Sequence, residues 1–207
     1  MVVSLSTENG FSHWLNCGRI LEGWAEICRG EVDGGIELLP TGIAAWHKRG
    51  ARLWLPFFLT LESEAYAKAG RGDAALVVIE EALALAKDSG ERWAMAEVLR
   101  VKAHLLKEAG AETKEIEMIL LSSLEIARAQ QARCWELRAA CDLARLWQAQ
   151  GRGREGLKVV QAIYEQFTEG FDTADLREAK ALMQDLGRSL GRKRNECAGK
   201  MDKTSRR

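Results

Sequence analysis

Proline is nearly missing from this 207-residue chain, where Pro40 and Pro56 are the only two. Proline breaks helix interiors because it lacks an N–H and clashes with the preceding turn, so its scarcity leaves long helices open almost everywhere. Tyrosine is equally rare, with two, and there are five phenylalanines; no stretch alternates apolar and polar residues for long enough to read as a strand. The most apolar stretch, Trp54 to Leu61, is far too short to cross a bilayer, so no membrane partner is expected. Net charge is lacking as well, thirty basic side chains balancing thirty acidic ones. The domain-wide basic excess of a nucleic-acid-binding protein is therefore absent.

Cysteine offers no framework either. Cys17, Cys28, Cys134, Cys141 and Cys197 form no C-x-x-C pair and leave an odd count, which suits reduced thiols and an expected cytoplasmic location. The first ten residues lack the basic and apolar regions of a signal peptide. What charge asymmetry exists lies at the C-terminus, where residues 187–207 carry eight Lys or Arg against two acids and leave the body at 22 basic and 28 acidic. Poor in apolar residues, this segment is expected to be a basic disordered tail. Its Arg192-Lys193-Arg194 cluster offers one route to nucleic acid or an acidic membrane surface; a solubilising extension is the competing reading, and no aromatic residue is there to stack on bases.

What the chain does contain is a repeat. Gly10, Gly50 and Gly90 are spaced by forty, as are Gly30, Gly70 and Gly110; Gly151 follows at forty-one, and Gln131 stands where the first series needs its next glycine. Trp14, Trp54, Trp93 and Trp135 each follow the first series by three or four residues. Gly35-Ile36, Ala75-Leu76 and Gly156-Leu157 follow the second by five and six.

Each unit reads as two antiparallel helices, with glycine supplying the left-handed residue that closes a helix and Asp33 and Asp73 meeting the positive end of the next. The expected helices are 12–29, 33–48, 52–69, 73–88, 92–109, 113–129, 133–150, 154–168 and 173–186, with Pro40 kinking or shortening the second. Small residues recur where paired helices touch, at Gly23, Ser63, Ala103 and Ala144, followed three residues later by Glu26, Tyr66, Leu106 and Trp147. Gly35 and Ala75, then Gly42 and Ala82, let the backbones approach from the second helix, whereas Ile116 and Ile163 replace small residues there.

This resembles the tetratricopeptide (TPR) pattern, and the expected fold is all-α: a right-handed superhelical solenoid of about four TPR-like helix pairs plus a C-terminal capping helix. Residues 1–11 read as the remnant of a preceding helix, 12–170 as four repeats (12–49, 52–89, 92–130 and 133–170), and 171–186 as the cap. In that last helix Leu176, Ala179, Leu182, Met183 and Leu186 recur on one face, with Asp172 or Thr173 at its start and Arg177, Glu178, Lys180 and Asp185 toward water.

The run from Phe167 to Leu182, with Gly-Ile-Ala-Ala-Trp at 42–46, Glu-Ala-Tyr-Ala-Lys-Ala-Gly at 64–70, Glu-Leu-Arg-Ala-Ala at 136–140 and Leu-Ala-Arg-Leu-Trp at 143–147, resembles the C-terminal repeat region of large bacterial signalling proteins. In those, a class III adenylate/guanylate cyclase domain and a predicted ATPase precede TPR repeats. The resemblance covers about residues 6–186 and implies a C-terminal fragment or stand-alone relative of such a protein. No G-x-x-x-x-G-K-[ST] phosphate loop and no paired-aspartate cyclase core occur, so the resemblance brings none of the family's chemistry.

Candidate chemistry is thin. His13, His47 and His104 have no partner at metal spacing, and Cys134 and Cys141 share a helix face without a second ligand pair, so neither a metal nor a cofactor is expected. Gly151-Arg-Gly-Arg154 stands at the recurrent turn and reads as structural, and Glu80-Glu81 as a solvated face. No nucleophile, base and oxyanion set can be nominated, so the expected function is a non-catalytic protein-interaction or regulatory scaffold. A small-ligand sensor, with an enclosed apolar pocket near Trp24, Trp46 and Trp54, is the rival reading. A third is nucleic-acid binding through the tail.

In TPR proteins the first helix of each pair lines the groove. Alignment on the second glycine series places Ile20, Thr60, Arg100 and Cys141 at one inward position and Trp24, Glu64, His104 and Arg145 at the next. Arg100, His104 and Lys107 share one face, and Arg138 and Arg145 another, which points to an acidic peptide or carboxylate-bearing partner at repeats three and four. Against this, Glu97 and Glu108 are placed to neutralise the patch. Exposed Phe11, Trp14 and Leu15 at the N-terminal edge give a route to a homodimer.

Overall fold

The computed structural model of the chain describes the backbone of residues 1–48 and 50–204, and side chains as far as 191. Among the described residues there are ten helices and no strand. A short α1 (Val2–Glu8) precedes α2 (Ser12–Arg29) and α3 (Val32–Lys48), the first pair. The next pair is α4 (Leu55–Lys68) with α5 (Gly72–Ser89), followed by α6 (Met95–Glu108), which packs on α5, and by α7 (Thr113–Ala129). The last pair is α8 (Arg133–Ala149) with α9 (Gly153–Tyr164), and α10 (Ala174–Thr204) closes the described chain. The helices form two compact units, Met1–Glu112 and Thr113 onwards. No helix among the described residues is long and apolar enough to cross a membrane.

The glycine series marks the helix ends. Gly30 and Gly90 cap α2 and α5 in the left-handed region at φ 91° and 74°. Gln131, where the series lacks its glycine, adopts the same conformation at φ 55°. A side chain there costs conformational energy that glycine would not, so the position follows from the turn rather than from the residue.

Paired helices approach through the small residues. A Cβ on Gly35 would lie 2.4 Å from Cγ1 of Ile27 and 2.5 Å from the Gly23 carbonyl oxygen, so α2 and α3 touch backbone to backbone. In the next pair the Ser63 hydroxyl donates to the Ala75 carbonyl at 2.8 Å. In the second unit a Cβ on Gly156 would meet Cα of Ala144 at 2.9 Å. Buried Leu39, Ile43, Ile79 and Leu83 fill the first unit, and Leu137, Leu143, Val160 and Ile163 the second.

Four boundaries differ from the sequence expectation. Helices α4 and α6 start three residues late, because Arg52–Leu55 and Arg92–Met95 make turns closed by 3.1 Å hydrogen bonds from Leu55 N–H and Met95 N–H to the carbonyls of Arg52 and Arg92. Helix α9 stops at Tyr164, where Gln166 and Phe167 switch to tighter bonds onto Ile163 and Tyr164. Pro40 does not shorten α3, which runs on to Lys48.

The fourth difference is the tail. In place of a cap ending at 186 and a disordered segment, α10 stays helical to Thr204. Elongating a nucleated helix needs no apolar face, and the segment holds no proline; its isolated glycines cost only about 1 kcal/mol each. The side chains of Arg192, Lys193 and Arg194 lie outside the described residues, as does everything after Thr204. The apolar stripe of α10 is as expected: Leu176, Ala179, Leu182 and Leu186 are buried, Met183 is half-buried, and Arg177, Glu178, Lys180 and Asp185 are exposed. Thr173 precedes the helix, and its carbonyl accepts the Arg177 N–H at 3.1 Å.

Candidate functional site

The expected binding row of the first unit is already occupied by its own acids. Arg100 on α6 donates through Nε and Nη2 to both oxygens of buried Glu97, at 2.8 and 2.9 Å, and through Nη2 to Glu64 of α4 at 3.2 Å. His104 meets Glu108 at 3.2 Å one turn on, while Lys107 is exposed at the end of α6. Trp24 is half-buried on α2. The neutralisation by Glu97 and Glu108 is therefore what the geometry shows, with Glu64 added.

In the second unit Arg138 donates to Asp175 at 2.9 Å, and Arg145 pairs with Asp142 at 3.0 Å and with Glu178. Asp175 and Glu178 are one turn apart on α10, so this helix presents to α8 the carboxylates that an acidic partner would bring. Glu178 thus does more than face water. Opposite charges at helical spacing on 138/145 and 175/178 were the sequence signal for this pairing.

The signature aromatic of the second and fourth repeats has a shared role. The Arg71 guanidinium lies 4.5 Å above the Tyr66 ring, and Arg152 lies 4.6 Å above Trp147, five residues on in each case. Arg152 also donates to Glu117 at 2.7 Å and to both oxygens of Glu155, so the Gly151-Arg-Gly-Arg154 turn is spent on structure. Those bonds hold the Glu117 carboxyl below its usual range, Arg152 contributing most and the Trp147 indole next.

Among the described residues Trp46 and Trp54 pack on each other, and no tryptophan lines either of the two cavities described below. Trp46, 1 % exposed, stacks on Trp54 with ring centroids 6.2 Å apart, and its indole donates to the Leu53 carbonyl at 3.0 Å. Trp54 stands in the left-handed region at φ 65°; its N–H donates to Oε1 of Glu91 at 2.7 Å, and the Trp93 indole donates to the same oxygen at 2.7 Å. Glu91 was invisible to pattern reading, because it lies in a turn between repeats. At the N-terminal edge Phe11 and Trp14 are exposed and Leu15 is half-buried.

An open cavity of the first unit lies between α3, α4 and α5, with a volume of about 490 Å³. Pro40, Ile43, Leu55, Leu59 and Leu85 supply its apolar wall. His47, Glu62, Glu81 and Asp88 supply its polar one. Glu62 is only 8 % exposed. Burial pushes its carboxyl up, a hydrogen bond with Tyr66 opposes that, and nearby Glu81 adds to the rise. Among the described residues none of Glu62, Glu81 and Asp88 joins an ion pair. The second unit has a cavity of about 420 Å³ whose buried acid, Glu136, is gripped by Arg128 at 3.0 Å and Arg133 at 2.9 Å. No group of three or more His, Cys, Asp and Glu side chains among the described residues is placed to hold a metal ion.

Similarity to solved structures follows this geometry of close-packed helix pairs with left-handed closures. The chain matches a putative kinesin light chain with nearly identical TPR-like repeats from Podosopora anserina with a TM-score of 0.63 at 17 % identity, covering 86 % of this chain and 88 % of that one. The fold is TPR-like. BtubC (BKLC) from P. vanneervenii shares it with a TM-score of 0.68 at 16 % identity over 93 % of this chain and 88 % of that one. No family model matches. In sequence, 133 residues are 28 % identical to an uncharacterised protein of Rhizobium meliloti (strain 1021), which is 64 % of this chain and 13 % of that relative's length.

Proposed function

We propose that the chain is a non-catalytic scaffold that binds another protein, working as the repeat portion of a bacterial signalling protein with cyclase and ATPase domains. The TPR-like fold carries this reading, since stacked helix pairs expose long surfaces suited to extended partners. Two further features support it. Four of the buried polar side chains, Thr60, Ser63, Glu97 and Glu136, are spent on local hydrogen bonds or ion pairs, and the similar stretch of the Rhizobium meliloti protein is a small part of a much longer chain. An acidic partner at repeats three and four would have to displace Glu97, Asp175 and Glu178, which weakens that choice of surface. The test is affinity capture on the immobilised chain with quantification of what is retained. A protein held at near-equal stoichiometry, with no ATP hydrolysis or cyclisation copurifying, is expected. Turnover that follows the protein peak, without a retained partner, contradicts the proposal.

A further inference from the structure

The repeat alignment gives the cavity beside Glu62 an internal comparison. Glu62 precedes Gly70 by eight residues, and Lys102 precedes Gly110 by eight, so the two occupy one position on successive first helices, α4 and α6. Lys102 reaches back to α5 and pairs with Glu80. Glu80 follows Gly70 by ten, and the residue ten past Gly30 is Pro40 on α3. Where one junction between consecutive repeats holds an ammonium on a carboxylate, the preceding junction holds a carboxylate facing a proline, which has neither a polar side chain nor an N–H.

That exchange leaves the carboxylates of Glu62, Glu81 and Asp88 around an apolar space of about 490 Å³. A nearly buried carboxylate, Glu62, raised by its burial and by Glu81, with the exposed carboxylates of Glu81 and Asp88 at the rim, favours a positive charge brought from outside. The space is also long in aliphatic wall, which suits a methylene stem ending in an ammonium. In the other unit the comparable buried acid, Glu136, has both of its cations supplied by the chain itself.

We propose that the pocket between α3, α4 and α5 is a docking site for a lysine side chain of a partner protein, with the ammonium among Glu62, Glu81 and Asp88 and the stem against Ile43, Leu59 and Leu85. It takes the place that Lys102 fills from within the chain one repeat later. The site lies where α4, the first helix of its pair, meets the second helices α3 and α5. This deepens the scaffold reading, and the two fail separately: a negative peptide titration beside successful partner capture removes only the pocket assignment.

The test is a titration of the full, isotope-labelled chain, followed by methyl chemical shifts, with a short acetylated and amidated peptide carrying one lysine flanked by leucines. Two control peptides replace the lysine by norleucine or by glutamate. Shifts confined to Ile43, Leu59 and Leu85 are expected, with the norleucine peptide weaker by about tenfold. The conservative Glu62→Gln and Glu81→Gln variants, which keep shape and hydrogen bonding, are expected to lower affinity for the lysine peptide and leave the norleucine peptide unchanged. Equal binding of lysine and norleucine peptides, stronger binding of the glutamate peptide, or no shift at these methyls overturns the proposal.

Discussion

The indole N–H of Trp147 donates to Oε1 of Glu117 at 2.7 Å, joining the first helix of the last pair to α7. The same oxygen accepts Arg152, whose guanidinium covers the Trp147 ring. Glu117→Ala leaves a nearly buried indole N–H without its acceptor and is expected to destabilise the protein by about 1–3 kcal/mol at neutral pH. Because the Glu117 carboxyl is held below its usual range, its contribution is present above the ordinary carboxylate pKa and is lost as pH falls through the lowered one. The gap between variant and wild type should therefore narrow in acid. Urea midpoints at neutral and acid pH check this, and equal midpoints at neutral pH contradict it.

Gln131 stands at φ 55° in a position that the repeat elsewhere gives to glycine. Gln131→Gly relieves the backbone cost, partly offset by a freer unfolded chain, for an expected net gain of about 0.5–1 kcal/mol. A lower melting temperature would show that the Gln131 side chain contributes more than its conformation costs.

Reversing Arg138 and Arg145 together to Glu sets like charges against Asp175 and Glu178 of α10. Exposed pairs of this kind are worth little each, so an expected loss of about 1–2 kcal/mol comes mainly from repulsion. Adding Asp175→Lys and Glu178→Lys should restore the urea midpoint. A double variant as stable as wild type would mean that these pairs do not hold α10, contrary to the geometry.

The cysteines divide by burial. Cys28 and Cys134 are exposed, whereas Cys141 is 5 % exposed and burial pushes its thiol up to about 12. Iodoacetamide at mildly alkaline pH should alkylate Cys28 and Cys134 in the native protein and spare Cys141 until denaturant is added. Peptide mass spectrometry reads the outcome, and native labelling of Cys141 at the rate of Cys134 would place it at the surface.

Much of the fold was legible because its determinants are periodic. Glycine spacing located the left-handed closures, including the one at Gln131, and the small residues Gly23, Ser63 and Ala144 marked where paired helices touch. The late starts of α4 and α6 were not legible, since they depend on a left-handed Trp54 tied to Glu91 thirty-seven residues away. Nor was the end of α10, where continuity with a formed helix outweighs composition. The candidate site was harder still. Spacing assigns the candidate groove residues to helix faces, but whether an arginine is available depends on acids supplied by other helices, such as Glu64 for Arg100 and Asp175 for Arg138. The Glu62 cavity arises from Pro40 standing where the next repeat has Glu80, a difference between repeats that a search for similarity passes over.

Hydrogen–deuterium exchange of the full chain, free and in complex with its captured partner, tests the proposal that the helix pairs themselves bind a partner protein. Slowed exchange is expected in a contiguous set of repeat helices within 12–164, where partner contact suppresses local opening. Exchange unchanged throughout 12–164, or protection confined to 187–207, would contradict the account.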